Sequence, residues 1–515
     1  MSNSWSQGYF TDAGYTYGYY REINPVFQRF ALLLRGFAVP VRGAGAAHCE
    51  LGFGQGVSLN IHAAANPGHY IGTDFNPAHA AHARQLAQAA DSGALLLDDS
   101  FEQLLGRGDL PLFDSISLHG IWTWVSRDNH RTIVEFARRQ LKPGGVLYVS
   151  YNCFPGWAPA YPLRQLFALH DRFGIAPHET NARVQAALQF SEALLAAKPN
   201  YLRLAPHLTE RLENIAKQNP QYLAHEYFNR EWNCMYFTDV VDALEPAKLE
   251  WACTAVPLDT VDALNLEAQA QGFLKNIQHP LLREQARDYF VNQQFRKDLF
   301  LRGAIRLSPA QQREELLSTR FVLMRPAGDV SMKVTGALGE AALQEAIYQP
   351  LVQALAADAG APKPLRKLAG QLPQMGWPQL LQALTVLVGM EAAAPCQPED
   401  AERSVRVRCR ALNRHLCDRS LFSGEVVNLA SPVTGGGVVV PRFQQLFLLA
   451  RELGHKRPQE WAQYAWQALA VQGQRIIKEG RPLETEEDNL AELTAQAQAF
   501  ASGQLPVLKA LQVVG

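Results

Sequence analysis

The stretch Glu50-Leu51-Gly52-Phe53-Gly54-Gln55-Gly56 constrains this chain more than any other. It follows the short apolar run Ala46-Ala47-His48-Cys49. It precedes a segment in which Val57, Ile61, Ala64 and Ala65 recur at helical spacing. Three alternating glycines at a strand-to-helix turn let the main chain pass close to a ligand, and the turn aims free helix N–H groups at the ligand's polar end. The spacing departs from the G-x-G-x-x-G of dinucleotide loops. A surface turn in an ordinary α/β protein would satisfy the same glycines, so the neighbouring segments must decide what the loop holds.

Residues 46–151 alternate strand-like and helix-like segments. Cys49-Glu50-Leu51 ends a first strand, residues 70–74 form a second, and Leu95-Leu96-Leu97 is a third, ending at Asp98-Asp99. Residues 113–118 and 146–151 read as the fourth and fifth. Asn66-Pro67-Gly68 stops the first helix, residues 77–90 form an Ala-rich second, and Lys142-Pro143-Gly144-Gly145 ends another over 128–141. This alternation predicts an α/β, Rossmann-like doubly wound sheet, with ligands beyond the carboxyl ends of its strands. Residues 158–235 carry long helical stretches and no convincing strand, which predicts a helical insertion. The pattern resumes with a helix over 237–244, a strand over 249–253 and a last, edge strand over 295–301, so the sheet closes near residue 302. Four regions follow: a core over 1–157, the insertion over 158–235, a completing region over 236–302 and a mainly helical accessory region over 303–515. Gly435-Gly436-Gly437 reads as a hairpin or loop turn, because no following Lys-Ser or Lys-Thr makes it a phosphate loop.

A chain of 515 residues is too long for one core. It is 47% hydrophobic and 19% charged, and its net charge of -1 leaves no basic footprint for nucleic acid. The seven cysteines form no C-x-x-C pair, which predicts reduced thiols in the cytoplasm and no metal site. The first residues lack the basic and apolar regions of a signal peptide, and no apolar run is long enough for a membrane span.

Several residues at the predicted strand ends carry chemistry. Asp74 stands where an acid accepts ribose hydroxyls, although a helix cap would use it equally. Asp98 or Asp99 suits the exocyclic amine of adenine, while Ser100 with Gln103 suits a capping box. The loop His119-Gly120-Ile121-Trp122-Thr123-Trp124-Val125 faces the reactive end of such a site. Indole faces there would attract a cation or simply pack. Tyr151 and Asn152 end the fifth strand before Pro155-Gly156-Trp157. Tyr15, Tyr17, Tyr19 and Tyr20 form an aromatic cluster suited to a lid, a tail or a dimer contact. His225-Glu226 pairs an acid with a base, a pattern more often structural than catalytic.

The segments ELGFGQG (50–56), YIGTDFNP (70–77), FDSISLHGIWTWVSRDNH (113–130), LKPGGVLYVSYNCFPGW (141–157), YLAHEYFN (222–229) and FRKDLFLR (295–302) resemble class I S-adenosyl-L-methionine (SAM)-dependent methyltransferases. More narrowly, they resemble the branch with a methyltransferase regulatory domain, which includes bacterial protein-lysine methyltransferases acting on outer-membrane proteins. The resemblance implies a seven-stranded methyltransferase sheet and SAM as cofactor, held by Glu50, Gly52, Gly54, Gly56, Asp74, Asp98 or Asp99, and His119. It implies an amine acceptor, most simply protein lysine, on an outer-membrane protein before export. It also implies an insertion that can form a homodimer. Tyr151, His119 and Tyr17 are the candidates for taking the acceptor's proton, and Trp122, Trp124, Asn152 and Trp157 for its pocket. One departure stands out: the D/N-P-P-Y motif of many amine-methylating enzymes is replaced by His119-Gly120-Ile121-Trp122. The alternatives are a SAM-binding scaffold without turnover, a small-molecule methyltransferase and a nucleotide-linked dehydrogenase.

Overall fold

Seven strands hydrogen-bond into one sheet: β1 (Ala47–Leu51), β2 (His69–Thr73), β3 (Leu95–Leu97), β4 (Phe113–Leu118), β5 (Leu141–Asn152), β6 (Leu249–Thr254) and β7 (Phe295–Arg302). Their order is β3-β2-β1-β4-β5-β7-β6. These strands come from a computed structural model that describes residues 15–39, 43–174, 179–218 and 220–514. Strands β1 to β5 run parallel, and β7 runs antiparallel to both β5 and β6. Parallel neighbours need helical crossovers, which cover both faces of the sheet and bring the carboxyl ends of the strands to one edge. Accordingly β1 is buried along its whole length.

The sheet closes at residue 302, but its edge differs from the sequence expectation. The segment 295–302 is not the edge strand; it lies between β5 and β6, and β6 takes the edge. The reason is burial. β7 pairs with β5 from Val146↔Leu301 to Asn152↔Phe295 and buries Leu299, Phe300 and Leu301. β6 leaves Glu250 in solvent, which an edge tolerates.

Arg296 on β7 is buried against three carboxylates. It donates to Asp298 at 2.7 and 2.9 Å, to Asp288 at 2.5 Å and to Glu284 at 2.9 Å. The hydroxyl of Tyr151 and the indole N–H of Trp251 donate to the same Asp298. The network therefore ties β5, β6, β7 and the helix Pro280–Val291 together.

Between β5 and β6 lie the helices Tyr161–Phe173, Thr180–Ala196, Tyr201–Leu204, Leu208–Ala216 and Pro220–Tyr227. They close over their own core, which includes Leu163, Phe167, Leu188, Leu212 and Trp232. Beyond residue 302 the chain is mainly helical. It also holds a small three-stranded sheet, Lys363–Pro364, Arg320–Leu323 and Ala393–Cys396, that the sequence reading did not include. The triple glycine lies in a hairpin between Asn428–Ser431 and Gly436–Val439, with Gly435 in the turn and Gly436 and Gly437 in the second strand. The helix Glu399–Arg419 packs across Val57–Ala65 and Pro77–Ala90, the helices that follow β1 and β2. All nine residues of Val57–Ala65 are consequently buried, as expected for a helix with apolar neighbours on every side. Among the described residues no helix is long and apolar enough to cross a membrane.

Among the described residues Arg296 is the one cation that contacts Asp288 and Asp298, and Arg296→Met removes it. Leaving buried carboxylates without a counter-charge costs about 3–5 kcal/mol. We expect the urea unfolding midpoint to fall accordingly; an unchanged midpoint would show that the network contributes no stability.

Candidate functional site

The carboxyl ends of β1 to β4 open onto one cleft of about 1160 Å³, counting its open mouth. Its floor is the glycine loop. Gly52, Gly54 and Gly56 have φ of +74°, +55° and +74°, a region that side chains rarely adopt. A Cβ on Gly52 would collide with the side chain of Ile121, and one on Gly56 with Ala83. Gly52 and Gly54 line the cleft. Gly56 does not; it caps the buried helix and lets it approach the helix Pro77–Ala90.

Asp74 locks the loop. Its Oδ2 accepts from the Gly54 N–H at 2.8 Å, and its Oδ1 accepts from the Asn76 N–H at 3.0 Å and faces His79 Nδ1 at 3.2 Å. Glu50, at the end of β1, is buried and lines the same cleft. Its Oε2 has no hydrogen-bond partner. Burial, reinforced by the charge on Asp74, pushes its carboxyl up to about 8. An unpartnered buried carboxylate oxygen beside an open cleft is a place for a ligand's donor or positive charge.

The two acids after β3 part company, as successive residues of an extended chain do. Asp99 lines the cleft and pairs with Arg107 at 3.0 Å. Asp98 turns away to a half-exposed pair with Arg84 at 2.6 Å. Of the two acids only Asp99 lines the cleft. Phe75, Phe101 and His79 join the lining directly after the strand-end acids. The sequence reading did not name them; their signal was only their position one or a few residues past Asp74 and Asp99.

His119, after β4, lines the cleft with its ring stacked on Tyr20, centroids 3.6 Å apart, and its Nδ1 2.8 Å from the Tyr148 hydroxyl. Burial pushes it down to about 3, so the imidazole is neutral at neutral pH and a poor base. Tyr151 lies outside the lining. It is wholly buried, and its hydroxyl is engaged by Asp298 and pushed well above its usual range by burial. Tyr17 is not in the lining either; its ring meets His82 edge-on at 5.2 Å and sits beneath Arg419.

Of the expected acceptor pocket, only Trp124 lines the cleft. Trp122 is wholly buried, stacks on His130 at 4.2 Å and donates to Met235 Sδ at 3.3 Å. Asn152 turns its amide to Glu226 at 3.2 Å and so joins β5 to the insertion. Trp157 packs on Trp232 in the core of the insertion. The β4 loop makes one 3-10 turn over Trp122–Trp124, so its two indoles point to different environments.

The N-terminal arm closes one side of the cleft through Tyr15, Thr16, Gly18 and Tyr20. Each of its tyrosines meets a histidine from elsewhere in the chain: Tyr15 meets His225, Tyr17 His82, Tyr19 His62 and Tyr20 His119. Tyr19 also lies against Gly436 and Gly437.

Comparison with known proteins agrees with this arrangement. Residues 49–149 match the methyltransferase domain family, and residues 219–302 match the predicted methyltransferase regulatory domain. An uncharacterized protein of Synechocystis sp., sll1526, is 40% identical over 514 residues, spanning 99% of this chain and 100% of the relative. An uncharacterized protein of Rickettsia prowazekii, RP789, is 24% identical over half of this chain. Among solved structures, PKMT2 from Rickettsia typhi in complex with AdoHcy superposes with a TM-score of 0.71 at 16% identity, covering 97% of this chain and 100% of that one. A second structure of PKMT2 from Rickettsia typhi superposes with a TM-score of 0.67 at 16% identity, covering 96% of this chain and 99% of that one. With a seven-stranded sheet of the matching order, a glycine loop beneath a strand-end cleft and both family domains in place, the chain belongs to the class I SAM-dependent methyltransferases that carry a methyltransferase regulatory domain.

Proposed function

We propose that the protein transfers a methyl group from SAM to an amine, with protein lysine as the acceptor. The observation that carries this reading is the character of the cleft. Its lining includes four carboxylates (Glu50, Asp74, Asp99 and Glu231), several aromatic rings and, among the described residues, no Lys or Arg. Such a surface favours cationic ligands on both sides of a transfer. The fit to SAM rests on the unpartnered Glu50 oxygen, the close backbone at Gly52 and Gly54, and acids at the ends of β2 and β3. Glu50 would hold the amino-acid end, Asp74 the ribose and Asp99 the adenine amine. Bound SAM supplies an already activated methyl on a sulfonium.

The chain's own work is then to position the partners and exclude water. Tyr20, Ile121 and Trp124 wall the cleft near His119. None of the three groups first considered as a base suits the task. His119 is held neutral near 3, Tyr151 is buried elsewhere, and Tyr17 is outside the lining. The acceptor therefore sheds its proton to solvent before it reaches the wall at His119.

The methyl-donor side of this reading is supported by the likeness in fold to PKMT2 from Rickettsia typhi, solved in complex with AdoHcy. Cytoplasmic work is supported by seven cysteines that all stand as free thiols. A homodimer is supported by Phe173 and Leu204, which the insertion leaves exposed. Incubating the protein with lysate and SAM labelled in its methyl group tests the acceptor: label in protein is expected, and label confined to small molecules overturns the lysine reading.

Two further outcomes follow from the residues. Asp74→Ala removes both the ribose acceptor and the anchor of Gly54, so SAM affinity should fall by about 100-fold or more, read by calorimetry. Asp99→Ala should lose less, because Arg107 and the loop remain. The second outcome is a pH dependence. Glu50 titrates near 8 in the free protein, and a cation favours its ionised form. Below that value binding must release a proton, so affinity rises with pH and levels above about 8. Stability moves the other way: the raised carboxyl is most favourable while protonated, and ionising it destabilises the free fold as pH climbs from its unfolded value of 4.5 towards 8. Glu50→Gln should abolish this proton release, read as the part of the binding heat that varies with the buffer's ionisation enthalpy. The same proton release in the variant would rule Glu50 out as the linked group.

A further inference from the structure

Three of the cleft's four acids stand together at the ends of β1, β2 and β3. The fourth does not. Glu231 belongs to the segment that leaves the insertion after the helix Pro220–Tyr227, and it lies on the wall formed by Trp124, Val125, Ser126 and Asn129. That segment is fixed in place. The Asn233 N–H donates to the Thr123 carbonyl at 2.6 Å, and its side chain donates to the Val125 carbonyl at 2.9 Å. Glu231 is thereby held beside the β4 loop.

The partners of the acids differ too. Asp74 is engaged by the glycine loop and Asp99 by Arg107. Glu231 makes no hydrogen bond and no ion pair among the described residues. Glu231 shares the cleft with the indole of Trp124 and the amide of Asn129, and His130 feels its charge. A half-buried carboxylate in a cleft that also holds an indole suits a cation.

We propose that Glu231 selects the acceptor: it captures the ammonium of the incoming lysine beside the β4 loop. The assignment rests on the amine reading above. Its position also explains what it does not do. A carboxylate touching the reacting nitrogen would hold that nitrogen protonated and unreactive. Beside the β4 loop it concentrates cationic side chains, while the stacked rings of Tyr20 and neutral His119 favour the free amine. As the side chain advances, one proton passes from its nitrogen to solvent water, and the neutral amine goes on alone. The insertion thus contributes to acceptor choice as well as to bulk. Glu231 is a specificity-determining residue and takes no part in donor binding.

The test uses the full chain saturated with AdoHcy, titrated calorimetrically with Nα-acetyl-lysine methylamide and with its uncharged norleucine counterpart. The wild type should prefer the lysine compound, and Glu231→Gln should weaken lysine binding about tenfold while leaving norleucine unaffected. Glu231→Lys should abolish lysine binding. AdoHcy affinity should stay within about twofold in both variants, which excludes misfolding. If Glu231→Gln binds the lysine compound as tightly as the wild type, the assignment is overturned while the amine reading stands. If the wild type holds AdoHcy yet shows no preference for lysine over norleucine, the amine reading itself fails, and the assignment with it.

Discussion

Everything about the cleft depends on the burial of one short helix. Val57–Ala65 has the sheet on one side and the helix Glu399–Arg419 on the other, so none of its nine residues reaches solvent. A helix held on all sides cannot shift to suit its loop, and the loop must take the shape that the helix dictates. That shape needs positive φ at each alternate glycine. Asp74 then completes the lock from the neighbouring strand. The C-terminal third of the chain, remote in sequence, is therefore part of what makes the loop rigid.

The cleft separates charge by position. Acids line it at the strand ends and again at Glu231 beside the β4 loop, while the stacked rings of His119 and Tyr20 are neutral and aromatic. Burial enforces the neutrality of His119, because its ring is covered by Tyr20 and backed by Tyr148. A neutral wall and carboxylate ends together suit chemistry in which cations are bound but the reacting nitrogen must be uncharged.

Much of this was legible in the sequence, and the parts that were not share a cause. Strand ends and helix caps are local: the acid after each strand, the capping box at Ser100 and the helix 237–244 follow from a few adjacent residues. Side-chain direction at a loop is not local. Trp122 and Trp124 look alike in the sequence, yet one turn of 3-10 helix sends the first into the core and the second into the cleft. Asp98 and Asp99 differ only by the alternation of an extended chain. Tyr151 carried a strand-end signal, but a buried Arg296 network more than a hundred residues away claims its hydroxyl. The edge strand was misplaced for the same reason, since pairing order depends on which strand can bury two faces. Glu231 carried no motif at all; only the hydrogen bonds of Asn233 bring it to the β4 loop.

The arm of tyrosines leads to a point about time. Residues 15–20 wall the cleft, yet Tyr17 rests against Arg419 and Tyr19 against Gly436 and Gly437. A ribosome makes the arm more than four hundred residues before those partners. The arm must therefore wait, unplaced, until they have followed. A growing chain can make its glycine loop early but cannot close the cleft around a ligand until the segment 419–437 has joined it. The order of synthesis and the order of assembly run in opposite directions, so closure of the cleft reports that this distant segment is in place.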